Sequence, residues 1–272
     1  MGNFFSKLIF IFVLLGSFNA NALLIKLDFD TMGSTDLWTN TTNDFDVTQA
    51  GFTPADFTSI TQTILVTIQE DYYSSSYGFI NGNQELDIDF MIASFSDDVS
   101  GIDADNYTIQ IGSRVSGPNN GFGVACGLCV SGPGGVATYP TPANTIFGSV
   151  FSNNIFTVLS ADAGGSWDLT EVSNAIGGTL SHEIGHALGL NHPNGIESNP
   201  GESAYGLMGT GAAPTIMPNS ERLLNRAFSD VNMQTLVNNV GLRSVAVPEP
   251  STLLLFFLVG LCWIKMYKVK QY

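Results

Sequence analysis

All three histidines of this 272-residue chain, His182, His186 and His192, fall between Ser181 and Pro193. On a helix, residues four apart stack on one face, so His182 and His186 can present imidazole nitrogens to a single ion. A helix continuing past Leu188 would carry His192 away from them, and the third ligand therefore needs a sharp chain reversal. Gly189 supplies it, because a residue without a Cβ enters the left-handed conformation that ends helices. Three neutral imidazoles with a fourth position left open describe a catalytic zinc site, since a structural site would fill that position with protein. Water in the open position has its pKa lowered towards ~7, and Glu183, beside the ligands but not needed as one, is placed to take its proton. The chemistry expected is hydrolysis.

The pattern His182-Glu183-x-x-His186-x-x-Gly189-x-x-His192 is the metzincin signature. The segment Glu183 to Pro193 resembles the zinc metallopeptidases of that group, the matrixin and serralysin branches most. The resemblance implies an α+β, zincin/metzincin-like fold: a twisted, mostly parallel sheet, a long backing helix and an active-site zinc helix. It implies a zinc metalloendopeptidase with one catalytic ion and a protein or peptide substrate, held by adding itself as a strand to a sheet edge beside the cleft. It also implies a methionine in a tight turn beneath the metal, a packing element and not a ligand. Met208 is preferred for this, because glycines at 206 and 209 suit a sharp turn. Met217, in Thr215-Ile216-Met217-Pro218-Asn219, resembles the Met-x-Pro turn of matrixins and is the other candidate. Astacins and serralysins carry a metal-reaching tyrosine where Thr210 and Asn219 stand here, which leaves three histidines and water. The alternative is a catalytically silent metzincin-fold module that binds at the cell surface or in a biofilm matrix, and the presence of Glu183 speaks against it.

Both ends of the chain are apolar. Lys7, the run Leu8 to Leu15 and the small-x-small Ala20-Asn21-Ala22 read as a signal peptide over residues 1–22, the run being short for a bilayer span of about 20 residues. At the other end, Val247-Pro248-Glu249-Pro250-Ser251-Thr252 precedes an apolar run to Ile264 and then Lys265, Lys268 and Lys270. This resembles the PEP-CTERM sorting signal of exopolysaccharide-producing Gram-negative bacteria; the same residues could serve as a plain membrane anchor, for which the run is short. The resemblance implies cutting near Pro-Glu-Pro by an exosortase, after signal peptidase has acted. Transient membrane attachment would then give way to the cell surface or the extracellular matrix. The expected division is 1–22 signal peptide, 23–243 metallopeptidase domain and 244–272 sorting signal.

The net charge is −15, and between residues 23 and 250 the bases are only Lys26, Arg114, Arg222, Arg226 and Arg243. Such a surface argues against nucleic acid as a partner. Calcium would suit the acidity, but the aspartates near Asp87, Asp97 and Asp103 form no calcium-loop pattern, so solvated surface charge is the reading kept. Cys126-Gly127-Leu128-Cys129 lies in the glycine-rich stretch Gly117 to Gly135. A zinc ribbon would need a second pair, and the remaining cysteine is Cys262. A local disulfide between Cys126 and Cys129 is preferred over free thiols in an exported protein.

Elsewhere, Leu23 to Phe29 reads as a first strand. Thr53-Pro54-Ala55-Asp56 announces a helix buried through Phe57, Ile60, Ile64 and Ile68. Leu86 to Ala93 reads as a central strand and Tyr107 to Val115 as the next. Thr145 to Phe151 and Ile155 to Leu159 are strand candidates, one of them expected to border the cleft. Asp168-Leu169-Thr170-Glu171 is a capping box for the zinc helix. The stripe Leu169, Val172, Ile176, Leu180, Ile184 and Leu188 is expected to bury it, with Gly177-Gly178 packed closely against the sheet. Ser229-Asp230 starts a last helix with Met233, Leu236, Val237 and Val240 inward.

Overall fold

The computed structural model describes residues 22–29, 42–43, 45–73, 77–93, 106–114, 121–125, 146–197, 201–212 and 216–245. The cysteine pair Cys126 and Cys129, residues 1–21 of the expected signal peptide and the apolar C-terminal run lie outside these residues. Among the described residues no helix is long and apolar enough to cross a membrane.

The frame is a sheet ordered β4-β1-β5-β7-β6, formed by β1 Leu23–Asp28, β4 Ile88–Ile92, β5 Asn106–Arg114, β6 Gly123–Ala125 and β7 Ile146–Phe151. β4, β1, β5 and β7 run parallel, and β6 closes the edge antiparallel to β7. A short β2, Thr42–Asn43, pairs with the end of β5. Strand burial follows position. β1 alternates, with Leu23, Ile25 and Leu27 inward, whereas β5 is buried continuously from Tyr107 to Ser113, as a parallel strand covered on both faces must be.

The central strand is therefore β5. Leu86 to Ala93 is interrupted at Asp87: β4 is a sheet edge, and β3, Gln84–Leu86, pairs instead with β8, Leu242–Ser244. A run of alternating apolar residues fixes a face but carries no information about strand order. Ile155 to Leu159 is helix, not strand, within α2 Ser152–Leu159. Ile155, Phe156 and Leu159 are its buried residues, one side of a helical turn, and a five-residue apolar run does not decide between the two periods.

Helix α1, Phe57–Tyr73, backs the sheet. Asp56 accepts from the Thr53 backbone N–H at 2.9 Å and from its hydroxyl at 2.7 Å, which fixes the entry. Ile60, Ile64 and Ile68 are buried, and the Tyr72 ring meets Phe90 at 5.1 Å and Phe228 at 5.0 Å. The histidine-bearing helix starts at α3, Leu169–Val172, widens into a π turn over Ser173–Gly177 and continues as α4, Gly178–Ala187. Asp168 and Glu171 cap each other's backbone N–H groups at 2.8 and 3.0 Å. The stripe Val172, Ile176, Leu180, Ile184 and Leu188 is fully buried. The final helix α5, Asp230–Val240, begins at Ser229, whose hydroxyl accepts from Asn232 N–H at 3.3 Å.

The glycine pair does not pack on the sheet. A Cβ on Gly177 would lie 3.0 Å from Thr67 of α1, and one on Gly178 would lie 2.5 Å from Nη2 of the buried Arg226. In an open helix, glycine to alanine gains about 1 kcal/mol. Here the added methyl would push into a buried guanidinium, so Gly178→Ala should destabilise the protein by about 1–3 kcal/mol. An earlier urea midpoint is expected, and a later one would refute this packing.

Candidate metal centre and active site

On α4 the four-residue spacing brings His182 and His186 to one face with rings edge to face, 4.6 Å between centroids. His192 returns from the chain beyond the helix. The three Nε2 atoms form a nearly equilateral triangle, with sides of 3.0 Å (His182 to His186), 3.1 Å (His182 to His192) and 2.9 Å (His186 to His192). They are the group of side chains among the described residues that could hold a metal ion.

Hydrogen bonding on the far side of two rings decides what faces inward. His182 Nδ1 lies 2.8 Å from the Leu207 carbonyl, and His186 Nδ1 lies 2.9 Å from the Leu190 carbonyl. A carbonyl only accepts, so both Nδ1 atoms carry the proton and both neutral rings present a bare lone pair at Nε2. Burial lowers the pKa of all three imidazoles, and the other rings of the triad add to this at His182 and His192, so they remain neutral. Bare nitrogens 3.0 Å apart repel unless a cation stands between them. An ion bound by nitrogen at about 2.0–2.1 Å holds tetrahedral ligands about 3.3 Å apart, close to the sides observed. The donor set fits one divalent metal ion.

The chain reversal is a Schellman turn. Gly189 has φ 97°, its N–H donates to the His186 carbonyl at 3.0 Å, and Leu190 N–H donates to the Gly185 carbonyl at 2.8 Å. The same turn supplies the Leu190 carbonyl that orients His186. It thus sends His192 back and fixes its neighbour's tautomer.

On the chain before the cleft residue Thr210, Met208 is fully buried, and its Sδ would meet a Cβ on Gly185 of α4 at 2.9 Å. It lies in the turn whose Leu207 carbonyl holds His182. Met217 is also buried, with its Sδ near Gly209 and 4.0 Å from Arg226 Nη1. Ser181, just before the first ligand, is pinned from α1. Its hydroxyl donates to Asp71 at 2.6 Å, and its carbonyl accepts from the Tyr72 hydroxyl at 3.0 Å. Burial pushes Asp71 up to about 7, against the Ser181 hydrogen bond and the charge of Arg226.

The triad opens onto a cleft of about 690 Å³ lined also by Glu183, Thr210, Asn219, Arg222 and residues 121–125. The strand bordering it is β6, from the glycine-rich stretch, and not either of the two strands expected there. Glu183 is packed so tightly against this edge that a Cβ on Gly123 would overlap its carboxylate, 2.7 Å from Oε1. Burial pushes Glu183 up to about 8, with Arg222 opposing, and a divalent ion on the triad would draw it down again. Sequence spacing gives no sign of Asp71, Gly123 or Arg222, because each reaches the site through the fold; the one available hint was that Arg222 is among so few bases.

The profile of Metallo-peptidase family M12B, reprolysin-like, matches residues 55–193. That match takes in the backing helix and all three histidines, and it does not extend to the matrixin or serralysin branches. No curated protein sequence matches the chain. Among solved structures, metalloproteinase-II from Bacteroides fragilis is similar at 17% identity with a TM-score of 0.39, over 83% of this chain and 55% of that one. The chain thus spans about half the length of that relative.

Removing His192 should weaken metal binding by more than about 100-fold, since loss of outer-shell partners alone costs about 10–100-fold. Met217→Leu should leave binding unchanged. Competitive titration against a chromophoric chelator reads both, and full occupancy in His192→Ala would exclude the three-ligand centre.

Proposed function

Because the chain belongs to the reprolysin-like M12B metallopeptidases, we propose that it is a zinc-dependent endopeptidase of the metzincin type, acting after export. The observation that carries this reading is the triangle of Nε2 atoms opening beside Glu183 and the β6 edge. His182, His186 and His192 would hold the ion, and three nitrogen donors with room for water and substrate suit catalytic zinc. When bound, zinc supplies Lewis acidity, acidifying water and polarising the scissile carbonyl.

The remaining steps fall to the chain. Backbone groups of β6 hold an extended peptide as an added strand, which fixes its direction while leaving side chains free to vary. Glu183, in the cleft and excluded from bulk water by Gly123, accepts the proton of the attacking water at a carboxylate oxygen. It then delivers that proton to the nitrogen of the departing amine, so no net proton is consumed at the residue. Met208 and the Leu207 carbonyl keep His182 in position during this exchange.

Export, removal of residues 1–22 and processing near Pro248-Glu249-Pro250 belong to the same proposal and rest on the sequence patterns. They put the domain 23–243 at the surface of a Gram-negative cell or in its matrix, with the terminal segment as its membrane contact.

The test is cleavage of an unfolded protein by the purified full-length chain, with and without a zinc chelator, beside Glu183→Ala. Chelator-sensitive cleavage that falls by about 10²–10⁴-fold in the variant, with zinc retained, is expected. Equal inactivity of both folded, zinc-loaded proteins would turn the reading to a silent binding module.

A further inference from the structure

Arg222 stands out among the charged groups of the cleft. Its neighbours in the chain are held from two sides: the Leu223 carbonyl accepts from Asn174 Nδ2 at 2.8 Å, and the Glu221 carboxylate accepts from the Ser203 hydroxyl at 2.6 Å and from Ala204 N–H at 3.1 Å. From this short 3₁₀ turn, Asn219–Leu223, the side chain enters the cleft and lays its guanidinium over the Phe122 ring, 4.7 Å from the centroid. Phe122 precedes the edge strand β6, so the cation lies across the cleft floor towards the strand that would hold substrate.

What it lacks is an anion. Among the described residues, the ion pairs within 4 Å are those of Arg243 with Glu85 and Asp89, and Arg222 Nε is buried with no hydrogen-bond partner. The carboxylate whose field it feels is Glu183, which the reaction requires to move protons. Guanidinium keeps its charge under all ordinary conditions. A half-buried, stacked arginine with its Nε unpaired is a fork suited to a carboxylate, and in a chain of net charge −15 it is the one arginine or lysine among the described residues lining the cleft.

We propose that Arg222 is a specificity-determining residue, an anion subsite that receives a substrate carboxylate close to the scissile bond. This rests on the peptidase reading. The carboxylate is that of an aspartate or glutamate side chain, or the free C-terminus of the peptide; both offer the same planar pair of oxygens.

The test uses quenched fluorescent peptides in which each position flanking the cleavage site carries Glu or Gln in turn, each made with a free and an amidated C-terminus. For the wild-type protein, kcat/KM should favour Glu over Gln at one position, or the free acid over the amide, by about tenfold or more, as a charged hydrogen bond provides. The first result identifies a side-chain carboxylate and the second a terminal one. In Arg222→Gln the ratio should fall to about 1, and Arg222→Lys should retain part of it. Equal rates for the paired wild-type substrates throughout would overturn the proposal. So would an Arg222→Gln protein whose rates drop uniformly with the ratio preserved, which would make the arginine a partner of Glu183 alone. Calorimetric binding of the same peptides to zinc-loaded Glu183→Gln separates the two readings. Carboxylate-dependent binding without wild-type turnover would defeat the peptidase reading and sustain the subsite, whereas turnover without carboxylate preference would do the reverse. Neither turnover nor carboxylate-dependent binding would overturn both.

Discussion

Neutral imidazoles brought nitrogen to nitrogen at about 3 Å are an unfavourable arrangement unless a cation occupies the middle, and much of the surrounding structure serves to hold them there. The Leu207 and Leu190 carbonyls fix two tautomers from behind. Asp71 and Tyr72 hold the residue before the first ligand, and the Gly189 turn delivers the last. These supports come from α1, from α4, from the turn at Met208 and from the chain after Ala187. Elements far apart in sequence are therefore committed to one small triangle. In the ion's absence the repulsion remains, so ion binding and local order at the C-terminal end of α4 are linked.

Among the described residues, charged groups buried without an ion-pair partner recur around this centre, Asp71, Glu183 and Arg226 among them. Arg226 is fully enclosed, its guanidinium resting on the space left by Gly178 and feeling Asp71. Arg222 occupies the cleft side. Burying charge without a tight partner is costly, and two arginines near one metal centre raise that cost. The inner one stands behind the metal helix near Asp71, while the outer one faces the space where substrate would lie.

The sequence was most readable where geometry is local. The spacing His182, His186, Gly189, His192 encodes a helix face and a turn within eleven residues, and the Asp168–Glu171 cap and the inward residues of β1 and α1 are equally short-range. Strand order was not readable. Leu86 to Ala93 carries the alternation of a strand wherever it sits in a sheet, and only pairing with β1 makes β4 an edge. Ile155 to Leu159 is too short for its period to be told. Gly123-Val124-Ala125 looks like loop because it is three residues long and begins with a glycine, where room for the Glu183 carboxylate excludes a side chain. Asp71 and Arg222 are single charged residues whose importance arises from contacts with Ser181 and Phe122, far away in the sequence.

The wide turn at Ser173–Gly177 has a consequence for where the ligands point. The buried stripe from Val172 to Leu188 repeats every four residues, and on a regular α-helix each such step overshoots a full turn by about 40°. Four steps would wind the stripe well off the core. A π turn takes more residues per revolution and so absorbs part of the drift, acting as a phase correction between the capped start of the helix and its metal-bearing end. Winding the same residues as ordinary α-helix would swing His182 and His186 by roughly 100°, the turn of one residue, relative to Leu169 and Val172. The bearing of the metal site is thus set by five residues upstream of it, in the way a vernier sets a dial.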